Sequence, residues 1–414
     1  MSVLNRLRRL GRALPLGSVL THRLRRLAGL GFRLAAWLRH GRSRKPEPPR
    51  PGPVCVVGFH GSVLGVGEAA RALSDALRAA GADVIDWDVS ALFGHEARLD
   101  RPASTEPPSG AASLVLYLNP HELVQLVALK GSAPFAGRRC IGCWAWELER
   151  APPLWRAALG YVDEVWAPSR FVRDAVLAAG RAAKTRVLPH PIAARGAGPD
   201  RAGSGSGLPQ DKTVVLTAFD ARSGFNRKNP IAAVRAFRRA NDDGRALMVC
   251  KAVGGEAAPG LMAELKAEIG EAGDVRLMTD WLPEAQMASL VAGADIVLSL
   301  HRSEGFGLLP AQAMAEGKAV VATGWSGNLD FMTPENSELV ACALVPVEDS
   351  QGLYAGGRWA EPDMDDAAAR LKALIADPER RRALGARAAS DIAAALSPET
   401  IGARARAWLD GSEA

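Results

Sequence analysis

One stretch of the chain places glycines and a carboxylate between a strand pattern and a helix pattern. The apolar run at residues 296–300 predicts a short buried strand, and helix-forming residues follow at 308–315. Gly305 and Gly307 allow the intervening backbone to turn sharply and to approach a ligand closely. The unpaired N–H groups at the start of the helix would attract negative charge. We therefore expect a phosphate group to bind at this joint, beside Glu304.

A second strand-to-helix joint carries adjacent cations. Arg227 and Lys228 lie between a predicted strand and a predicted helix, Arg222 precedes them, and Lys251 closes a further predicted strand. Fixed cations at the carboxyl edge of a parallel sheet would attract a phosphate group. Solvated surface charge is the alternative interpretation of these residues.

The first half of the chain contains weaker candidates. Gly65 and Gly67 lie in a turn between the first predicted strand and a helix, which alone is a common connection. His121 follows a strand pattern, where it could take part in a helix cap. Glu147 ends a Trp-Ala-Trp-Glu segment and could accept a hydrogen bond from a ligand hydroxyl. The sequence does not contain Ser, His and Asp residues at a spacing familiar from hydrolases, so it does not indicate a hydrolase.

Alternating strand and helix patterns organise the chain into two halves. A chain of 414 residues exceeds what one hydrophobic core usually supports. Short apolar runs separated by helical patterns predict parallel sheets covered on both faces. Residues 195–210 are rich in Gly, Ser and Pro, so we place a linker there, between a domain over 51–195 and another over 211–395. Within these domains we predict a helix at 154–161 and a single strand at 339–345.

The positive charge of the chain is concentrated at its start. The formal net charge is +6, but residues 1–50 contain thirteen Arg or Lys and one acid, so they carry +12 and the remainder carries −6. Leucines recur there at helical spacing among the arginines. We expect a basic amphipathic extension that lies, through residues 1–45, on an anionic membrane surface. The alternatives are a solvated arm and a nucleic-acid-binding arm; the acidic remainder argues against a nucleic-acid partner.

The cysteines favour a reducing compartment. Five scattered cysteines, an odd number in a long chain, predict reduced thiols and a cytoplasmic protein. Cys140 and Cys143 have metal-type spacing, but no second Cys or His pair complements them, so buried strand positions are favoured. No apolar run approaches the roughly 20 residues that span a membrane. We expect neither a metal nor a bound cofactor, and a position at the inner face of the membrane.

The Glu304 segment and the residues after it carry a resemblance to a known family. Glu304, the Gly305-Phe306-Gly307 turn and the downstream segment at 322–328 resemble the donor site of family 4 glycosyltransferases, which are retaining, nucleotide-sugar-dependent enzymes. The likeness extends from about residue 54 to about residue 409. It implies the α/β fold called GT-B, in which two Rossmann-like, doubly wound domains face a central cleft, with residues 396–414 crossing back to the first domain.

The resemblance also implies roles for individual residues. Glu304 would meet hydroxyls of the donor sugar, and Lys228, with either Arg222 or Arg227, would neutralise the departing diphosphate. Position 312, where the family has an acid that holds the ribose, is Gln in this chain. The remaining donor-side and acceptor-side candidates that follow from the resemblance are Gly305, Phe306, Gly307, Leu308, Leu309, Gly65, Gly67, Lys251 and His121.

The sequence thus predicts a metal-independent, retaining hexosyltransferase. It would use a nucleoside diphosphate sugar and a saccharide or lipid-linked saccharide acceptor in cell-surface polysaccharide assembly. Because a neutral amide at Gln312 offers fewer acceptor sites than a carboxylate, a catalytically silent, membrane-docked scaffold of the same fold is the alternative.

Overall fold

A computed structural model provides the structure of the protein. It describes residues 31, 34–36, 38, 47–49, 51–96, 98–180, 184–196, 207–354 and 356–412. The predicted amphipathic extension lies mostly outside these residues. Within it, Ala36 is helical and buried in the core of the first domain, whereas Leu34 and Leu38 are exposed.

Two parallel sheets form the frame of the described part of the chain. The first sheet contains β1 Val54–Gly58, β2 Val84–Asp88, β3 Ser113–Leu116, β4 Arg139–Cys143, β5 Glu164–Ala167 and β6 Lys184–Val187. The second contains β7 Thr213–Asp220, β8 Ala246–Val253, β9 Val275–Met278, β10 Ile296–Ser299, β11 Ala319–Thr323 and β12 Glu338–Val340. Their orders are β2-β1-β3-β4-β5-β6 and β12-β11-β10-β7-β8-β9. In both sheets the chain reverses its direction of progress beside the first strand, which creates a crevice at the carboxyl ends of the strands.

Helices cover both faces of each sheet. The helices are α1 Gly65–Ala79, α2 Pro120–Lys130, α3 Arg170–Ala179, α4 Phe225–Lys228, α5 Pro230–Ala240, α6 Pro259–Ile269, α7 Glu284–Gly293, α8 Leu308–Ala315, α9 Met364–Ala376, α10 Pro378–Leu396 and α11 Pro398–Leu409. In β1, Val54 and Val56 belong to one core cluster while Cys55 and Val57 belong to another. Successive strand residues point to opposite faces, so two buried faces require the near-continuous apolar runs seen in the sequence.

The last helix lies on the first domain. Gly402 of α11 packs so closely on α1 that an added Cβ would lie 2.3 Å from the Ala76 carbonyl oxygen. Arg139 donates a hydrogen bond of 2.8 Å to the Trp408 carbonyl, and the Trp408 ring stacks edge-on against Trp166 with centroids 5.7 Å apart. Helix α11 therefore completes the core of the first domain.

Three predictions of secondary structure need comment. The predicted single strand at 339–345 is wrong, because β12 ends at Val340 and Cys342–Pro346 (β13) pairs antiparallel with Arg358–Pro362 (β14). The predicted α-helix at 154–161 is instead a 3₁₀ helix, Pro153–Tyr161. It begins with Pro153, directly after Pro152. Cys140 and Cys143 lie in β4, as predicted, and both thiols are free of disulfides.

Candidate active site

The glycine loop between β10 and α8 has the geometry that its sequence predicts. Gly307 immediately precedes α8 and has φ of 99°, a conformation that favours glycine. No side chain caps the start of α8 in the described part of the chain. The first helical amides therefore lack side-chain acceptors, as an anion-binding helix start requires.

Glu304 forms ion pairs with the two adjacent cations, Arg227 and Lys228. Its Oε1 lies 2.5 Å from Lys228 Nζ, and its Oε2 lies 3.1 Å from Arg227 Nη1. Burial would raise the pKa of Glu304, but Arg227, Lys228 and His301 outweigh burial and hold the pKa at about 2. Glu304 is therefore an ionised acceptor at neutral pH.

Arg227 and Lys228 are adjacent in the chain but have different environments. The Arg227 side chain is 2% exposed; its Nε and Nη2 donate to the Ser223 carbonyl and its Nη1 to the Ser303 carbonyl, at 2.8–3.2 Å. The Lys228 side chain is 23% exposed. Lys228 can therefore reach a ligand, whereas the buried Arg227 holds the Glu304 carboxylate in place.

Arg222 lies in the short turn that follows β7. Its guanidinium pairs with Asp220 at 2.7 Å, and nearly half of the side chain is exposed. The sequence left open whether Arg222 or Arg227 contacts a diphosphate. Of the two, Arg222 has the solvent access that such a contact needs.

The segment after β11 supports the Glu304 loop. Ser326 Oγ accepts a hydrogen bond from the Glu304 amide at 2.8 Å, and the Gly327 amide donates to the Glu304 carbonyl at 2.9 Å. An added Cβ on Gly327 would lie 2.1 Å from the Gly305 carbonyl oxygen, so only glycine fits. His301, which we did not predict, is fully buried and joins this support through Asn328 at 3.1 Å. Its position directly after the strand pattern was the signal in the sequence.

The first domain contacts the same loop across the cleft. Ser169 Oγ donates to the Gly305 carbonyl at 2.6 Å, and the Trp146 carbonyl lies 3.0 Å from where a Gly305 Cβ would be. Gly65 approaches Leu308 of α8. Gly67 is required within its own domain, because an added Cβ would lie 2.5 Å from the Phe59 carbonyl oxygen.

Gln312 also faces the first domain. Its Nε2 donates to Glu68 Oε1 at 2.6 Å, and the same oxygen lies 2.9 Å from Arg195 Nη2. The Arg195 guanidinium also pairs with Glu284 of α7 at 3.0 Å. Thus Gln312, the position at which the chain departs from the family pattern, is part of a polar network that bridges the domains.

Two predicted residues lie outside the Glu304 cluster. His121 is the second residue of α2; its side chain is 64% exposed, and its ring lies 3.7 Å from Glu122. Lys251 is buried and donates to the Asp280 carbonyl, and burial lowers its pKa. Glu147 does reach the cluster, since its Oε1 lies 3.7 Å from Arg227 Nη2.

Neither a metal site nor a membrane span is found in the described residues. Within the ranges given above, no group of three or more His, Cys, Asp or Glu side chains is arranged to hold a metal ion. The described helices include none with the length and apolar character needed to cross a bilayer.

Comparison with solved structures identifies the fold. The structure is similar to that of Anabaena HepE in complex with UDP and glucose, with a TM-score of 0.62 and 15% identity over 87% of this chain and 99% of that chain. It is also similar to a variant of S. aureus TarM in complex with fondaparinux, alpha-GlcNAc-glycerol and UDP, with a TM-score of 0.54 and 12% identity over 72% of this chain and 55% of that chain. The chain has the GT-B fold, as predicted.

Sequence comparison identifies the second domain. Residues 214–357 match the family described as "Glycosyl transferases group 1". A D-inositol 3-phosphate glycosyltransferase of Segniliparus rotundus is 33% identical over 192 residues, which are 45% of this chain and 38% of that protein. The matched part thus spans about two fifths of that curated relative. The chain has the GT-B fold, and most of its second domain is similar to the group 1 glycosyl transferases.

Proposed function

We propose that the protein is a retaining glycosyltransferase that moves a hexose from a nucleoside diphosphate sugar to a saccharide or lipid-linked saccharide. The observation that carries the proposal is the ion pair between Glu304 and Lys228. It lies beside a glycine loop that leads into α8, a helix whose start has no side-chain cap. The relatives support the donor class, since HepE and the TarM variant are described as complexes with UDP. We propose that this reaction takes part in cell-surface polysaccharide assembly.

Each part of the cluster has a chemical task in this reaction. Glu304 accepts hydrogen bonds from donor sugar hydroxyls, while the amides of Phe306 to Leu309 bind the diphosphate. Lys228 neutralises the diphosphate as the bond between the anomeric carbon and the phosphate oxygen breaks. The acceptor oxygen attacks the same face of that carbon, and its proton passes to the departing phosphate oxygen. We propose that these cations take the place of a metal ion, so that the reaction is metal-independent.

Variants of the two paired residues test the proposal. Glu304→Gln keeps the shape but loses the charge, and Lys228→Ala removes the mobile cation. Each should lower release of nucleoside diphosphate from the preferred sugar donor by about 100-fold or more, because charge-assisted contacts to the transition state are lost. Lys372→Ala, which removes an exposed lysine paired with Asp242, is the control and should retain activity. Unchanged turnover in both site variants would falsify the site assignment.

The donor is found first by thermal-shift screening. UDP, GDP and ADP sugars are compared, since stabilisation by a ligand grows with its affinity. The preferred nucleotide then enters the turnover assay with each candidate acceptor. A donor that stabilises the protein but is not turned over is assayed again with further acceptors, and absence of turnover with all of them supports a silent site.

A catalytically silent scaffold is the second candidate function. Gln312 favours it, because its amide is occupied by Glu68 and offers no charged acceptor to a ribose. Calorimetry separates the two proposals. Measurable affinity for a nucleoside diphosphate supports the enzyme, and none for UDP, GDP or ADP supports the scaffold.

We also propose that the basic extension holds the protein at the inner, cytoplasmic face of the membrane. The support is the concentration of thirteen basic residues in residues 1–50. Each basic residue near an anionic surface contributes about 1 kcal/mol. This position would bring the cleft close to a lipid-linked acceptor.

A further inference from the structure

A cavity of about 370 Å³ opens where the two domains meet. Its wall contains neither Glu304, Lys228 nor Gln312, and it shares only Phe306 with the glycine loop. Beside it, the Ile192 amide donates to the Leu396 carbonyl at 2.8 Å, so the two segments that pass between the domains are joined there. The cavity therefore adjoins the proposed sugar-transfer site only at Phe306.

The floor of the cavity is apolar. Phe306 and Phe331 lie with ring centroids 5.0 Å apart, and both are buried, as is Leu396. Val187 and Pro189 from the end of β6 complete this surface. Such a surface gains free energy by covering an apolar group of a ligand.

The rim of the cavity is cationic. Arg170 and Arg173 from α3 and Arg404 from α11 face one acid, Asp330. Asp330 is taken by Arg170, whose amide and Nε donate to it at 2.8 and 3.2 Å. Arg173 uses its Nε for Asp174. The Arg404 guanidinium has no hydrogen-bond or ion-pair partner among the described residues. After the pairs of Arg170 with Asp330 and of Arg173 with Asp174, the rim keeps one unpaired positive charge, on Arg404.

We propose that this cavity binds an organic phosphate whose apolar portion covers Phe306 and Phe331. Arginine guanidinium groups bind phosphate oxygens through paired hydrogen bonds, so Arg404 and Arg173 suit the charged end. The apolar floor suits the remainder of the molecule. This site does not depend on the proposed sugar transfer.

Titration calorimetry on the full-length protein tests both halves of the cavity. Octyl phosphate is the probe, and inorganic phosphate, octanoate and octyl glucoside are compared below micelle-forming concentrations. We expect one octyl phosphate to bind per chain, and phosphate and octyl glucoside to bind at least tenfold more weakly. Equal binding of inorganic phosphate removes the role of the floor, and equal binding of octyl glucoside removes the role of the arginines. Octanoate binding as tightly as octyl phosphate would overturn the assignment to phosphate.

Variants locate the bound probe. Arg404→Gln and Arg173→Gln should each weaken octyl phosphate binding about tenfold, the loss of one charge-assisted contact. Arg245→Gln, at an exposed arginine paired with Asp243, is the matched control and should bind as the parent does. If binding is unchanged in both cavity variants, the probe is held elsewhere, including on the basic extension, and the proposal fails.

A further comparison separates this proposal from the proposed function. Lys228→Ala should weaken nucleoside diphosphate binding while octyl phosphate binds as before. Arg404→Gln should have the reverse effect. Loss of octyl phosphate binding in Lys228→Ala would show that the probe occupies the glycine loop, and the cavity would lose its ligand.

Discussion

Arg227 and Lys228 show how adjacent residues of one charge take on different tasks. The buried Arg227 has acceptors for all three side-chain nitrogens, which a planar guanidinium can use at fixed angles. A lysine at that position would leave carbonyl acceptors unmatched. The partly exposed Lys228 keeps a compact charge on a flexible stem, which suits a ligand that arrives and leaves.

The contact between Gln312 and Glu68 gives a structural reason for glutamine at position 312. Its amide donates to Glu68, and a carboxylate at position 312 would instead face another carboxylate. We predict that Gln312→Glu lowers the free energy of unfolding by about 0.5–1 kcal/mol, since like charges at short range repel but are partly screened by solvent. Urea denaturation measures the change.

The exchange of both residues provides the control for that prediction. Glu68→Gln combined with Gln312→Glu restores a donor–acceptor pair, so the double variant should be more stable than the sum of the single variants indicates. Gln286→Glu, at an exposed position of α7, should leave stability nearly unchanged. Strictly additive effects would mean that the two side chains do not interact in solution.

At the scale of elements, α11 determines how the chain closes on the first domain. We predict that Gly402→Ala lowers the free energy of unfolding by about 1–3 kcal/mol, because the added Cβ would overlap a backbone oxygen of α1 that cannot move independently. The midpoint of urea denaturation measures this. Gly260→Ala in α6 is the matched control, since no atom lies within 4 Å of its added Cβ, and it should not lower the midpoint. Equal midpoints for both variants would show that α11 does not pack on α1.

The order of elements was largely predictable from periodicity, with one informative exception. Apolar runs bounded by glycines located the parallel strands, because each is buried on both faces. The hairpin of β13 and β14 was missed because no residue of β13 is fully buried and its pairing partner, β14, lies beyond a loop. A strand of that kind is defined by its partner and not by its own pattern.

At the scale of the whole molecule, charge is segregated between the extension and the folded domains. We predict that the full-length protein floats with vesicles that contain anionic lipid and that removal of residues 1–30 abolishes flotation. This deletion retains Ala36, which is buried in the first domain, and removes seven arginines. Loss of about 1 kcal/mol for each basic residue accounts for the expected effect.

A second variant separates charge from length. Replacing the seven arginines of residues 1–30 by Gln in the full-length chain should also abolish flotation, and raising the salt concentration should weaken it in the parent. Vesicles without anionic lipid should not bind the protein. If the deleted and parent proteins float equally, the extension does not bind the membrane.

The amino-acid sequence by itself determined the local units of this protein. The strand, glycine turn and helix around Glu304 and the cation pair at Arg227 and Lys228 are written in neighbouring residues, where backbone preference and periodicity act. The tertiary structure decided which distant residues meet: Glu68 with Gln312, Ser169 with the Gly305 carbonyl, and three arginines around one cavity. These contacts join two domains, and no local pattern specifies them, because they depend on how the finished sheets face each other across the cleft.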